Sequence, residues 1–233
     1  MFGRELVQNF GVVQMAPQDL NGNATGSAWI GLTHYGHATF FFLTGESAND
    51  AAVTFKQATS ATGTGSKTLA YTKYWSNGQK LMIGTVSGTF VAAETITGGT
   101  SNLTAYVHTV SSGHMLVIPL TGGTTWTDGE TITGGTSGAT AVMSGTGQDE
   151  DIMLDRTCSS TFTYPSVTFK TYAIEIDGED MDVENGYDFV QANIADPGGA
   201  SISAGMWFLS FPDRRGIPMT SAIGTQKIVA DFA

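Results

Sequence analysis

Two histidines three residues apart, His34 and His37 in "HYGH", are the first candidates for chemistry, because paired imidazoles often bind zinc. If this stretch is a strand, residues three apart point to opposite faces of the sheet. We therefore do not expect the pair to share one metal ion. The two remaining histidines, His108 and His114, lie far along the chain. We expect all four to be polar residues at strand ends rather than metal ligands.

The densest charged segment is "EIDGEDMDVENGYD", and clustered carboxylates raise the question of calcium binding. Its acidic residues are Glu175, Asp177, Glu179, Asp180, Asp182, Glu184 and Asp188. Counted from Asp180, Gly186 falls at position 7 instead of 6, and Gln191 stands where an EF-hand needs its bidentate glutamate. We expect a solvated acidic connection between two strands, turned at Asn185-Gly186. A calcium site in a β loop is the alternative.

Nucleophile and phosphate-binding motifs are missing from the sequence. Cys158 is the single cysteine, so no intrachain disulfide can form, and Arg156 is the only nearby group that could activate its thiol. There is no G-x-S-x-G, Walker or H-E-x-x-H motif. The glycine-rich "GTGSK" (63–67) and "TGTGQ" (144–148) are not followed by a helical pattern. We therefore predict no catalytic, cofactor-binding or metal-binding residues, and a protein that is not an enzyme.

Four tryptophans, Trp29, Trp75, Trp126 and Trp207, could form a carbohydrate-binding platform. Aromatic residues at strand positions are more often part of the core, and that is the expectation here.

The composition limits the partners of the chain. Charged residues make up only 13% of the 233 residues, about half the usual share of roughly 25%. The surface must therefore be covered by Thr, Ser, Asn, Gln and Gly, or be buried against partner chains. The formal net charge of −11 disfavours direct binding to nucleic acid. No secretory signal or membrane-spanning apolar run is visible, so we expect synthesis in a cytoplasm and no membrane partner.

The pattern of residues predicts an all-β chain. Helical periodicity is almost absent, while short runs rich in Thr, Val, Ile, Phe and Tyr alternate with Gly, Asn and Ser clusters. "HATFFFLTG" (37–45) is continuously apolar, which predicts a central strand buried on both faces. In "AAVTFKQATS" (51–60), Val53, Phe55 and Gln57 alternate with polar or small residues and predict one buried face.

The middle of the chain contains an exact repeat. "ETITGGTS" occurs at Glu94–Ser101 and again at Glu130–Ser137, an offset of 36 residues. Phe90 and Trp126 occupy equivalent positions before it. Each copy predicts a strand, a turn and a second strand, and the two hairpins could stack as a small sandwich. The turns would be made by Gly98-Gly99 and Gly134-Gly135, because glycine supplies the positive φ of a tight hairpin.

These features predict two domains. Residues 1–79 and 155–233 would form one split antiparallel β-sandwich or barrel-like domain. Residues 80–154 would be an inserted module of tandem β-hairpins, with repeats at about 81–116 and 117–150. The insertion would leave the first domain at an exposed turn, "SNGQK" (76–80), and return near Asp149 to Asp155.

The segments "FVAAETITGGTSNLTAYV" and "WTDGETITGGTSGATAVM" resemble the GE-T-TGGTSGATA repeats of many tailed-bacteriophage structural proteins. The outer segments resemble a group of small phage virion proteins of the head and neck genes. They do so through "DLNGNATGSAWIGLTHYGHATFFFLTG", "AVTFKQATSATGTGSKTLAYTKYW", "YAIEIDGEDMDVENGYDFVQANIADPG" and "MWFLSFPDRR". The shorter members of that group lack the insertion.

The resemblance implies a virion structural protein without a catalytic site, most simply a capsid decoration or cement protein. It would bind the major capsid protein on the outside of the shell and stabilise the shell. It would also associate with itself, with a trimer natural at a three-fold position. Two alternatives remain: another virion role (tail tube, tip, fibre or head-to-tail connector), or a carbohydrate-binding module in which Phe90 and Trp126 are exposed.

Overall fold

The computed structural model describes residues 10–19, 24–33, 35–47, 49–121, 125–165, 170–198 and 201–210. Nearly all regular structure in these residues is β-strand, and every strand pairing is antiparallel. Within these ranges the only helical segments are two single 3-10 turns, Gly178–Asp180 and Val183–Asn185. The prediction of an all-β, antiparallel fold is confirmed. The C-terminal segment "TQKIVADFA" and His34 lie outside the described residues.

The strands, in chain order, are β1 Phe10–Asp19, β2 Thr25–Gly26, β3 Ile30–Gly31, β4 His37–Ser47, β5 Ala51–Ala58, β6 Lys67–Leu69, β7 Lys73–Ser87, β8 Thr95–Gly98, β9 Thr104–Ser111, β10 His114–Pro119, β11 Thr131–Gly134, β12 Thr140–Met143, β13 Gln148–Thr157, β14 Thr161–Tyr164, β15 Lys170–Asp177, β16 Phe189–Ile194 and β17 Ser201–Ser210.

One half of the molecule is a β-sandwich. Its first layer has the order β1-β17-β4-β15-β7, with β13 also paired to β7. Its second layer has the order β14-β5-β16, with β2 and β3 on β16 and β6 on β5. The layers pack through aromatic side chains: Phe40 of the first layer lies 5.9 Å, ring centroid to ring centroid, from Phe55 of the second, at an edge-to-face angle.

The strand β4 is central, as predicted, but it is buried on one face only. Ala38, Phe40 and Phe42 point into the sandwich and are buried, whereas Leu43 on the opposite face is 45% exposed. The prediction of burial on both faces is wrong because the second layer covers only one side of β4. In β5, by contrast, Val53, Phe55 and Gln57 form the predicted buried face.

The other half of the molecule is a closed barrel. The end of β7 pairs with β10, and the ring continues through β9, β8, β11 and β12, which pairs back to β7. This gives the closed six-stranded antiparallel barrel, so the predicted stack of two hairpins as a small sandwich is wrong. A closed ring leaves no strand of the set with a free edge.

Each half has its own core. One cluster of buried residues falls between Met15 and Tyr74 and between Phe162 and Leu209, whereas the other falls between Leu81 and Met143. The long strand β7 belongs to both halves, because its first residues pair with β15 and its last with β12.

The stretch Ser76–Lys80, predicted as an exposed turn, lies inside β7, so that prediction is wrong. Its polar residues have partners at the junction of the two halves. Asn77 Oδ1 accepts a hydrogen bond from the Thr171 backbone N–H at 2.9 Å, and Gln79 Oε1 accepts one from Trp126 Nε1 at 2.8 Å. Gly78 leaves room for Leu154, since a Cβ there would lie 2.7 Å from Leu154 Cδ1. The polar and glycine residues of this stretch thus belong to a strand that runs from the sandwich into the barrel.

Candidate functional site

The three described histidines lie in separate places. His37 opens β4 and its Nδ1 lies 2.7 Å from Asp177 Oδ1. His108, in β9, lies with its Nε2 3.0 Å from Asp155 Oδ1, and Asp155 also pairs with Lys73 at 3.3 Å. This second group ties the barrel strand β9 to β13. Among the described residues no group of His, Cys, Asp and Glu side chains could hold a metal ion.

The acidic segment is the connection between β15 and β16, as predicted. It carries the two 3-10 turns, and Gly186 has the left-handed φ of +78° that ends the second turn. Its carboxylates bind neighbouring groups of the protein. Asp182 pairs with Lys67 and accepts a hydrogen bond from Asn185 Nδ2 at 2.7 Å, while Asp180 Oδ2 accepts one from the Asp177 backbone N–H at 3.0 Å.

Cys158 is half-buried and its thiol points toward the Tyr71 carbonyl, 3.9 Å from Sγ. Burial raises the pKa of this thiol to about 11, despite the opposing effect of Arg156. The thiolate is therefore scarce at neutral pH.

The two copies of the repeated octapeptide, Glu94–Ser101 and Glu130–Ser137, contact each other within the barrel. β8 and β11 are antiparallel neighbours, with Ile132 opposite Gly98 and Ile96 opposite Gly134, so a local two-fold axis passes between Thr97 and Thr133. Each repeat therefore meets the other in the same way. Glu94 and Glu130, the first residues of the two copies, cross this axis and are each only 4% exposed.

Each glutamate caps the turn of the other repeat. Glu94 Oε2 accepts hydrogen bonds from the backbone N–H groups of Thr136 at 3.0 Å and Ser137 at 2.9 Å, and Oε1 accepts one from Ser137 Oγ at 2.8 Å. Its Oε1 also accepts a bond from the Val91 N–H of its own repeat at 2.7 Å. The carboxylate is thus surrounded by donors from both copies.

Glu130 makes the matching set of contacts. Its Oε2 accepts hydrogen bonds from the Thr100 and Ser101 N–H groups at 3.0 Å each and from Ser101 Oγ at 3.1 Å, and its Oε1 accepts one from the Thr127 N–H at 2.7 Å. For both glutamates burial acts to raise the carboxyl pKa, but the hydrogen bonds outweigh it and hold the pKa below its usual value.

The role predicted for the glycine pairs is wrong. None of Gly98, Gly99, Gly134 and Gly135 has a positive φ; the left-handed residues of the two turns are Asn102 (φ +55°) and Gly138 (φ +66°). Gly98 and Gly134 are needed for space, because a Cβ at either would lie 2.6 Å from Oε2 of the glutamate contributed by the other repeat. The glycines make room for the exchanged carboxylates.

The aromatic residues that precede the repeats lie in the barrel core. Trp126 is 2% exposed and donates to Gln79, and Phe90 is also buried. They are therefore not available as an exposed carbohydrate-contact pair. In the sandwich Trp207 is fully buried, whereas Trp29 and Trp75 are half-buried.

An apolar surface lies on the side of the first sandwich layer that faces away from the second layer. We define the outer face by Phe41 and Leu43 of β4, Thr171 of β15, and Ala204, Met206 and Phe208 of β17, which line one shallow groove. The rings of Phe41 and Phe208 meet edge to face with centroids 5.3 Å apart. The groove-lining residues carry no charge. Phe41 and Leu43 belong to the segment "ATFFFLTG", but the sequence analysis predicted that both faces of this strand are buried and so did not identify the surface.

No family model, curated protein or solved structure matches this chain. In the described part of the chain, no helix has the length and apolar character needed to cross a membrane.

Proposed function

We propose that the protein is a structural component of a tailed-bacteriophage virion, and specifically a capsid decoration protein. It would bind the major capsid protein on the outside of the shell and stabilise the shell by adhesion. The observation that carries this proposal is the uncharged, apolar outer face on an otherwise charge-poor all-β chain. Apolar side chains that are exposed next to one another on a sheet face can be buried against another protein. The resemblance of the repeats and outer segments to phage virion proteins supplies the setting.

The two halves suit different tasks. The sandwich presents a broad sheet face that can be buried against other subunits. The barrel closes on itself and is held by buried, hydrogen-bonded glutamates, so it can stand exposed without offering free strand edges to other chains. We infer that the sandwich provides adhesion, whereas the barrel projects outward or bridges to neighbouring copies.

Adhesion would stabilise the shell through buried area. Each Å² of apolar surface removed from water contributes about 25 cal/mol before the costs of association. The net charge of −11 is compatible with a place outside the shell, where the protein does not contact the packaged DNA. The partners proposed are the major capsid protein and further copies of this chain, with a trimer natural at a three-fold position. Synthesis would take place in the host cytoplasm.

The closest alternative is another virion role, in the tail or the head-to-tail connector. A tail tube needs long hairpins that stack into rings, and the strands of the central module are used in closing the barrel. The decoration role is therefore favoured. The carbohydrate-binding alternative loses its two proposed contact residues, because Trp126 and Phe90 are buried.

The proposal is tested by counting copies in purified virions and by removing the protein from them. Decoration requires copies in proportion to shell subunits, and particles without the protein should keep their tails but lose resistance to heat. A few copies at one vertex, or rings and tubes formed by the purified chain, would instead establish the tail or connector role. Binding of the purified chain to glycans in the absence of particles would favour the carbohydrate-binding role.

A further inference from the structure

Two strands, β7 and β13, carry the chain from the sandwich into the barrel and back, and their pairing is interrupted between the two halves. On the barrel side, Gln79 pairs with Asp149. On the sandwich side, Asn77 pairs with Met153, so three residues of β13 lie opposite the single residue Gly78. A bulge bends a strand and disrupts its pairing, and a glycine weakens the strand opposite. Both connecting strands are therefore weakened at the same level.

The side chains on either side of Gly78 are bound to different halves of the molecule. Asn77 accepts a hydrogen bond from Thr171 of the sandwich strand β15, whereas Gln79 accepts one from Trp126 in the barrel core. The two core clusters share no residue. A change of angle at the level of Gly78 would therefore leave both cores intact.

The barrel strand β9 reaches across this level to the part of β13 that belongs to the sandwich. His108 Nε2 lies 3.0 Å from Asp155 Oδ1, and this hydrogen bond holds the pKa of Asp155 below its usual value, so the carboxylate accepts and Nε2 donates. The guanidinium carbon of Arg156 lies 4.7 Å from the ring centroid of Tyr106. Arg156 also donates from Nη1 to the hydroxyl of Tyr74 in the sandwich core, at 3.2 Å.

We propose that the junction at Gly78 is a hinge, and that the contacts of Tyr106 and His108 with β13 are a latch that holds the barrel at one angle to the sandwich. Hinges are a few backbone positions that absorb the change between two rigid bodies. Cation–π contacts and partly exposed ion pairs are each weak, so the latch can open while both halves stay folded. Loss of both contacts should raise the ratio of open to closed molecules by about 5- to 30-fold.

The test compares the latch variant Tyr106→Ala/His108→Ala with the control Val110→Ala/His114→Ala in the purified chain. Val110 and His114 lie at the turn end of the same β9–β10 hairpin, away from Tyr106. Residual dipolar couplings of backbone amides are fitted separately for the two halves. One alignment tensor should fit both halves of the natural chain and of the control. In the latch variant the alignment of the barrel should fall at least about 30% below that of the sandwich, the difference between rigid and flexible order parameters.

A conservative variant separates the latch contact from the loss of a side chain. His108→Gln keeps an N–H donor that can face Asp155, so with Tyr106 in place it should retain the single tensor. Couplings within each half should still fit the structure in every variant, which distinguishes reorientation from unfolding.

One shared tensor in the latch variant would overturn the inference. It would show that the connecting strands, together with Ile118, which lies beside Tyr106 and is 2% exposed, fix the angle without the latch. Two tensors in the natural chain, or equal effects of the latch and control variants, would also overturn it. The hinge is a property of the isolated chain, so none of these outcomes depends on the proposed function.

Discussion

Replacing Glu94 by glutamine tests whether the exchanged carboxylates hold the barrel together. The change preserves shape but converts one of two acceptor oxygens into a donor NH₂ group. Backbone N–H groups face both oxygens: Val91 faces Oε1, while Thr136 and Ser137 face Oε2. Either orientation of the glutamine amide therefore sets an NH₂ group against at least one backbone N–H. No rotation of the side chain satisfies all of these donors.

The magnitude follows from the burial of the site. Leaving a buried donor without an acceptor costs about 1–3 kcal/mol, and hydrogen bonds to a neutral acceptor are weaker than those to a carboxylate. Some of this is offset because a buried neutral side chain loses less hydration than a charged one. We expect Glu94→Gln to reduce the free energy of unfolding of the barrel by about 2–3 kcal/mol. The local two-fold axis predicts a similar cost for Glu130→Gln.

Hydrogen exchange of individual amides is the suitable assay, because it separates the barrel from the sandwich. A loss of 2–3 kcal/mol accelerates exchange through barrel opening by roughly 30- to 150-fold. This should appear at amides of β8, β11 and β12, while amides of β5 and β16 in the sandwich stay unchanged. Glu184→Gln is the control, because Glu184 is exposed on the acidic connection and the substitution makes the same change in charge.

The reasoning is refuted if Glu94→Gln and Glu184→Gln both leave barrel exchange within a factor of about two, since surface changes usually fall within 0.5 kcal/mol. A large effect of Glu94→Gln with none for Glu130→Gln would contradict the equivalence of the two repeats. Acceleration throughout the sandwich as well would show that the two halves unfold together.

Three further outcomes are expected. Because the folded-state pKa of Glu94 and Glu130 lies below the ordinary value of 4.5, their stabilisation is complete above that pH and is lost as the pH falls through the lower, folded-state pKa. The urea midpoint of the barrel should therefore drop on acidification, and less steeply in the double glutamine variant. Gly134→Ala should cost about 1–3 kcal/mol in the same denaturation measurement, because its Cβ would meet Glu94. Gly84→Ala, whose nearest neighbour would be 3.7 Å away, should be close to neutral. Cys158 should react with a thiol reagent at least about 10-fold more slowly in the folded than in the urea-unfolded chain, because its pKa rises from 9.0 to about 11 while a thiolate of higher pKa is somewhat more nucleophilic.

The class of fold could be predicted because strand signals are local. The alternation of Val53, Phe55 and Gln57, and the absence of helical periodicity, needed no knowledge of tertiary contacts. The acidic connection could be predicted for the same reason, because Asn-Gly is a turn signal wherever it lies. Burial on two faces could not be predicted, because whether a second layer covers Leu43 depends on residues far away in the chain.

Other features could not be predicted because they depend on polar residues whose hydrogen-bond partners lie far away in the sequence. Ser76–Lys80 has the composition of a turn, yet its Asn and Gln are bound by Thr171 and Trp126, which no local pattern indicates. Glu94 resembles a surface residue for the same reason, since two of its backbone donors, Thr136 and Ser137, lie more than forty residues further along the chain. The sequence contained one indication of this role: the first residue of each copy, Glu94 or Glu130, is the only charged residue of the octapeptide.

The reciprocal geometry explains why this octapeptide is identical in the two repeats while its surroundings differ. Each copy supplies a glutamate and receives one. The serine of each copy donates to the incoming carboxylate, and the first glycine makes space for it. The second glycine, Gly99 or Gly135, donates its N–H to the carbonyl of Thr131 or Thr95. The isoleucine is fully buried in both copies.

A change in one copy would therefore break a contact made by the other, and a single repeat would leave its glutamate without most of its donors. Outside the octapeptide the residues at equivalent positions can differ. Asn102 and Gly138 both adopt the left-handed conformation, and Phe90 and Trp126 both lie in the core although their side chains differ in volume. Within one chain, the two repeats are thus related by a local two-fold axis, as the subunits of a dimer would be. Its repeated motif is occupied by contacts within the barrel.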